Sequence, residues 1–448
     1  MPCVQESSRA RKGKQMRNKK ALVFIILSVL LLGGCNDAEM GEQQVVLETE
    51  RKEEIKLSLF APVDVKSTGS LIYRQPIKEF NEEQDEIQVT FEGISTKDGF
   101  NSFLEERLDA GEGDDIFIVN ADTVKPLFQK GYFYDLSGLE VYGRLNDAAR
   151  SQSTIDGIAY CLPANLTAYS MYVNRKVLKK YGLEVPENYE EFMTCLEVLS
   201  ENGETPISLN RWGAMVVPAM ARGLYPLYES LQRDELIQKL NSGELLIGEY
   251  MLEGFRMFED FVRSGYYGEG LTGEYVDSLK ANTKDIEDFK AGKTAFFFQA
   301  VDFNVIEDIN TTAPEVDLIV CGIPVLPEGA VVIPSATVRL CVNANGHHLD
   351  ESLKFVNEIT VRIMEQYEEE GGMILPVLKD VDVKVMYPEY KPVFELAKQG
   401  KQIPIEDMSL HFTYWDTIRE LCLGIIDGDS AQEAAEKYNQ IQLEKIGK

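Results

Sequence analysis

Gly292-Lys293-Thr294 ends the stretch Asp288-Phe289-Lys290-Ala291-Gly292-Lys293-Thr294 with the three letters that close a phosphate-binding loop. That loop needs a further glycine five positions before Gly292, because successive backbone N–H groups must curl around the phosphates, and Glu287 stands there. A carboxylate would repel phosphate. Element order argues the same way: the loop runs from strand to helix, whereas here a helical pattern (Val276, Leu279, Ile286, Phe289) precedes the strand-like Ala295-Phe296-Phe297-Phe298. Nucleotide chemistry is therefore set aside. Paired carboxylates beside an aromatic platform would suit a glycosidase, but 74 acidic residues make a nearby pair an ordinary coincidence. His347 and His348 follow the loop-like Asn343-Ala344-Asn345-Gly346 and read as a solvated loop, so no metal is assigned. Cys161, Cys195, Cys321, Cys341 and Cys422 are widely spaced without a CxxC pair, which indicates neither a zinc site nor a dense disulfide framework and predicts buried core residues. No catalytic group or cofactor is expected. Binding is better served: Trp212 lies in Leu209-Asn210-Arg211-Trp212-Gly213, between turn signals and outside any apolar period, where its face could stack on a sugar ring.

The N-terminus bears on where such binding would happen. Seven basic residues from Arg9 to Lys20 precede Ala21 to Leu32, which is apolar except for Ser28. About a dozen apolar residues is short of the roughly twenty needed to span a bilayer, so the segment reads as a secretory signal, with Met1 or Met16 as its start. It closes on Leu32-Gly33-Gly34-Cys35, which resembles the bacterial lipobox, in which small residues precede a cysteine that receives a diacylglycerol before cleavage. The resemblance implies a signal peptide over 1–34 and a lipid on Cys35. Several acyl chains, at about 0.8 kcal/mol per buried CH₂, hold a protein stably on a membrane. The Glu-rich residues that follow form a flexible tether, 35–54. With a formal net charge of −29 and its N-terminal basic residues removed by processing, the chain would repel nucleic acid. Its 44% hydrophobic content is enough for a real core, and the length beyond the tether suggests two lobes.

What must position the binding residues is a run of alternating strands and helices. Ile55-Lys56-Leu57-Ser58-Leu59-Phe60 alternates as a strand, Leu71, Ile72, Ile77 and Phe80 recur at helical spacing, and Ile87 to Phe91 is a second strand. A helix carrying Phe100, Phe103, Leu104 and Leu108 leads into the continuous apolar run Ile116-Phe117-Ile118-Val119. This β-α-β-α-β order implies a parallel sheet buried on both faces, with ligands bound outside the carboxyl ends of its strands. That singles out Asp64, Lys66 and Ser67 after the first strand, and Asn120 and Asp122 after the third.

Farther along, Tyr160-Cys161-Leu162-Pro163, then Tyr172-Val173-Asn174, Gly182-Leu183-Glu184-Val185-Pro186 and Thr205-Pro206-Ile207 follow in an order and spacing that resembles the extracellular solute-binding proteins of bacterial ABC importers, the group that includes maltose-binding protein. Asp114-Asp115-Ile116-Phe117, Gly131 to Ser137, the stretch Phe289 to Ala295 and Gly371 to Pro376 extend the likeness over most of the chain. In that family Gly292 would be a helix stop before a strand that crosses between lobes. Departures are Leu59-Phe60 where many sugar binders carry tryptophan, Asp114 in place of a proline, and Ala300 in place of a glycine.

The resemblance implies an α/β fold of the periplasmic-binding-protein type II, two lobes of mainly parallel sheet flanked by helices and joined by crossing strands. It places 55–164 and 295–334 in the N-terminal lobe and 168–290 and 338–448 in the C-terminal lobe. Crossings fall at 164–169, 295–303 and 334–340. It further implies a monomer, lipid-anchored on the outer face of the cell membrane, that captures a sugar or oligosaccharide between the lobes and delivers it to the permease subunits of an ABC importer. Presentation of ligand to a sensor, adhesion, and surface glycoside hydrolysis are the alternatives. The ligand-binding candidates are Asp64, Asn120, Asp122, Asn165, Thr167, Tyr169, Asn210, Trp212, Asp302 and Phe303. Asn120 and Asp122 could instead cap the helix ahead of Val124, and Tyr169 and Phe303 could be core residues.

Overall fold

The computed structural model describes residues 54–64, 66, 71–95, 97–209, 213–271, 279–370 and 374–447. Its elements run β1 (Ile55–Ala61), α1 (Leu71–Glu83), β2 (Ile87–Gly93), α2 (Lys97–Ala110), β3 (Ile116–Ile118), α3 (Ala121–Gln129), α4 (Glu140–Arg144), α5 (Asp147–Ser151), β4 (Thr154–Ile155), β5 (Ile158–Ala159) and β6 (Leu162–Asn174). Then come α6 (Arg175–Lys180), α7 (Tyr189–Glu201), β7 (Thr205–Ile207), α8 (Gly213–Tyr228), α9 (Arg233–Ser242), α10 (Ile247–Arg263), α11 (Leu279–Lys290), β8 (Thr294–Ala300) and α12 (Phe303–Thr312). The chain finishes with β9 (Leu318–Cys321), β10 (Ile323–Leu326), β11 (Gly329–Val331), β12 (Ile333–Val342), α13 (Leu349–Glu370), α14 (Lys391–Lys398), α15 (Trp415–Ile426) and α16 (Ala431–Lys445).

One mixed sheet organises these elements, in the order β2-β1-β3-β12-β6-β8-β7, with β9 also paired to β6. The expected β-α-β-α-β start is present, with β1 parallel to both β2 and β3. β6 is the axis. Its first half pairs antiparallel with β12 and its second half with β8 and β9, so the three strands expected at the crossings lie side by side at the middle of the sheet. Alternate residues of each strand feed different cores, because side chains of a strand point to opposite faces. Ile116 and Ile118 of β3 join one apolar cluster and Phe117 another. Likewise Phe296 and Phe298 of β8 face the cluster built on α7, α8 and α10, and Phe297 faces away from it.

Elements far apart in the chain share the faces of this sheet. α13 lies within 338–448, yet its Phe355, Ile359 and Ile363 pack with Leu57 and Leu59 of β1 and Phe80 of α1. β8 pairs with β7 beside α7. An apolar face at helical spacing shows that a helix is covered, but not which half of a sheet covers it.

Gly292 takes the left-handed conformation, φ 74°. After α11 the N–H of Gly292 donates to the Phe289 carbonyl and that of Lys293 to the Asp288 carbonyl, which is the Schellman arrangement of a helix stop. The Lys293 ammonium, far from cradling phosphate, pairs with Asp288 at 2.7 Å.

Candidate functional site

A cavity of about 510 Å³ opens between the start of α3 and the segment 406–416. Asn120, Ala121 and Lys125 form one wall; Glu406, Phe412, Tyr414, Trp415 and Asp416 are among those forming the other. The α3 wall is anchored by Val124 and Leu127 in the cluster of Phe60 and Phe117, whereas Phe412 and Tyr414 are anchored in the cluster of α8 and α10. The cavity therefore lies between elements anchored largely in two different apolar clusters, at the carboxyl end of β3, with Met408 of the second wall joining the cluster of the first. Size and lining suit a small organic solute.

Asn120 precedes α3 in an extended conformation, but its side chain makes no cap bond and its amide donates to the Asn101 Oδ1 at 2.8 Å. Lys125 reaches across the cavity, its Nζ donating to the Leu410 carbonyl at 2.9 Å and the Phe412 carbonyl at 3.5 Å. Burial pushes its pKa down. Glu406 pairs with Arg339 of β12 at 3.4 Å; the arginine is buried, so this carboxylate is held in place from beneath. Asp407, also in the lining, accepts from the Tyr228 hydroxyl at 3.1 Å and the Ser409 N–H at 3.0 Å, and burial raises its pKa. Trp415, the first residue of α15, is half-buried and packs on Tyr169 of β6.

Three of the sequence candidates share one face. Asn165, Thr167 and Tyr169 are partly exposed while Ala164, Leu166, Ala168 and Ser170 between and beside them are buried, the period of two expected of a strand. The Asn165 amide donates to the Thr337 Oγ1 at 3.1 Å, and the Thr167 hydroxyl to the Val301 carbonyl at 3.1 Å. Tyr169 connects this polar strip to the cavity through Trp415.

Others are placed elsewhere. Phe303 begins α12 and packs on Tyr387 and Tyr390, with centroids at 5.4 and 5.3 Å, so it is a packing residue and not a member of this cavity. Asp302 caps α12 by accepting the Asn304 N–H at 2.9 Å, and its own N–H donates to the Tyr172 hydroxyl at 3.0 Å. Asp64 is exposed and accepts the Lys66 N–H at 2.9 Å, holding its own turn. Asn210, Trp212, the Asp122 side chain and Cys35 lie outside the described residues.

Lys125 and the run Glu406 to Asp416 were missed from sequence. The available signal was His411-Phe412-Thr413-Tyr414-Trp415, an aromatic cluster directly before the helical period Ile418, Leu421, Cys422, Ile425.

A mixed sheet flanked by helices, with an aromatic and polar cavity at the carboxyl end of one of its strands, is the construction of a solute-binding protein. The chain belongs to the bacterial extracellular solute-binding protein family, whose sequence pattern matches residues 66–361. It is similar to a multiple sugar-binding protein of Streptococcus mutans, 22% identical over 42% of this chain and 42% of that protein. In fold it is similar to a family 1 extracellular solute-binding protein from Bifidobacterium longum subsp. infantis, with a TM-score of 0.71, 18% identity and coverage of 86% of this chain and 98% of that one. A cyclic alpha-maltosyl-1,6-maltose binding protein from Arthrobacter globiformis matches with a TM-score of 0.67, 15% identity and coverage of 88% and 99%. No helix among the described residues is long and apolar enough to cross a membrane.

Proposed function

We propose that this chain captures a sugar or short oligosaccharide in the cavity between α3 and the segment 406–416, and hands it to the membrane subunits of an ABC importer. The observation that carries the reading is Trp415, a large flat ring on a wall that also carries hydrogen-bonding groups. A pyranose offers an apolar face to such a ring and hydroxyls to Asn120, Glu406 and Asp416 around it. Micromolar affinity corresponds to about −8 kcal/mol, and hydrogen bonds contribute roughly 0.5–1.5 kcal/mol net each, so one stacked ring and five to eight polar contacts suffice. The sugar-related names of the relatives support the class of ligand.

Lipid on Cys35 would hold the protein at the outer face of the membrane, within reach of the importer. Cys35→Ala should release it into the medium or leave it unprocessed, read by cell fractionation. The binding reading is tested by calorimetric titration of neutral mono- and oligosaccharides against the intact chain, with recovery of the sugar afterwards. Saturable binding with the sugar recovered intact supports it, whereas steady hydrolysis would replace it with an enzyme.

A further inference from the structure

β6 and β12 pair antiparallel with Arg339 opposite Pro163 and Leu340 opposite Leu162. Continued by one residue beyond the end of β6, the same register sets Cys341, which pairs with Phe117 on its other side, opposite Cys161. Pro163 decides what kind of pair that is. Proline has no N–H, so Arg339 and Pro163 cannot exchange the two backbone bonds of a hydrogen-bonded pair. Pair types alternate along an antiparallel ladder, so Leu340 and Leu162 are the hydrogen-bonded pair and Cys341 and Cys161 again a non-hydrogen-bonded one. Such pairs bring the Cα atoms to about 4.5 Å, inside the range of roughly 4.4–6.8 Å that a disulfide spans. Directly opposed side chains project from the same face, and both cysteines belong to one apolar cluster with Phe60, Phe117 and Tyr160. Their thiols are free in this structure and fully buried. Burial and the neighbouring Cys161 thiol push the Cys341 pKa up. The Cys341 thiol also approaches the Arg339 carbonyl, and among the described residues Cys195, Cys321 and Cys422 approach the carbonyls of Glu184, Met171 and Met215.

We propose that Cys161 and Cys341 form a disulfide site, oxidised outside the cell before the cluster closes over them. Membership of an extracellular family supplies the compartment in which such bonds persist. The oxidant is a disulfide-bearing thiol compound or exported oxidoreductase. The thiolate of one cysteine attacks a sulfur of that disulfide, forming a mixed disulfide and expelling a thiolate. The second cysteine, deprotonated, attacks the protein sulfur of the mixed disulfide and expels the other thiolate, so the protein loses two protons and two electrons and the oxidant gains them. The bond would tie the start of β6 to β12 at the end remote from Ser335 and Thr167. It would also shorten the unfolded chain between widely separated positions, where cross-links constrain most.

The test uses the full chain, denatured, refolded with mixed reduced and oxidised glutathione, then denatured again and alkylated without reductant. The expected result is a Cys161–Cys341 linked peptide, with Cys195, Cys321 and Cys422 alkylated. The melting temperature should stand several degrees above that of protein refolded in dithiothreitol, and Cys161→Ala/Cys341→Ala should abolish the difference. Full alkylation of Cys161 and Cys341, a glutathione adduct retained on either, or linkage to a third cysteine would overturn the proposal. Peptide mapping of the unmutated chain decides this even where the double variant fails to fold.

Discussion

The rings of Trp415 and Tyr169 meet with their centroids 5.0 Å apart and their planes tilted by 50°. One belongs to the first turn of α15 and the other to the strand at the centre of the sheet, so the indole is braced from the crossing while it still lines the cavity. Burial raises the Tyr169 pKa, which keeps that brace neutral across the physiological range.

Trp415→Ala is expected to weaken saccharide binding on the order of a hundredfold, since a stacked ring contributes a few kcal/mol and each 1.4 kcal/mol is about tenfold. Because the ring is only half-buried, the melting temperature should change less than for a core aromatic, whose removal costs about 3–5 kcal/mol. Calorimetry and a melting curve on the same variant check both parts. Normal affinity with a large loss of stability would assign Trp415 to packing alone.

Lys125 joins the two walls through the carbonyls of Leu410 and Phe412. Lys125→Met keeps the aliphatic stem but removes the bridge, so affinity should fall about tenfold, the scale of a hydrogen bond to a charged group. Most of that loss should appear as faster dissociation in stopped-flow measurements, because changes within one binding site act mainly on the off-rate. An unchanged dissociation rate would contradict the bridging role.

Local chemistry was legible where it is local. β1, β2 and β3 follow from alternation and a continuous apolar run, and the α11 stop follows from Gly292. Asn165, Thr167 and Tyr169 were placed by family pattern, and the strand period then turned all three to one face. Trp415 was not legible, because an aromatic ahead of a helical period reads equally as a core staple. What turns it toward a cavity is the threading of 403–408 by backbone bonds to Val332, Pro334 and Ser151, contacts with no sequence signal. The packing of Phe303 was hard to read for a related reason: its partners Tyr387 and Tyr390 come from a distant stretch of chain.

Gly254 marks the tightest approach of α10 to α8. A Cβ there would fall 2.1 Å from the Ala219 carbonyl oxygen, a backbone atom that cannot yield cheaply. Gly254→Ala should therefore cost about 1–3 kcal/mol by overpacking and lower the melting temperature by several degrees. Affinity in the folded fraction should be unchanged. Gly138→Ala, whose added Cβ meets nothing within 4 Å, is the neutral comparison.

Asp285 on α11 is buried, and its Oδ2 finds no hydrogen-bond donor among the described residues. Burial raises its pKa from 3.8 to about 7, with Asp288 adding to the rise and Lys284 opposing it. A carboxyl whose folded pKa exceeds its unfolded value favours folding in its protonated form. That contribution is complete below about pH 4 and is lost as pH rises to about 7, after which the protein bears the full cost of a buried charge. At about 1.4 kcal/mol per pKa unit the span is a few kcal/mol. Asp285→Asn keeps the shape and removes the charge, so it should stabilise the protein at pH 8, have little effect at pH 4, and flatten the pH dependence between them. Urea denaturation of the two proteins at pH 4, 6 and 8 measures the difference directly, and a variant less stable than the parent at pH 8 would show that the ionised carboxylate has a favourable partner in the folded protein.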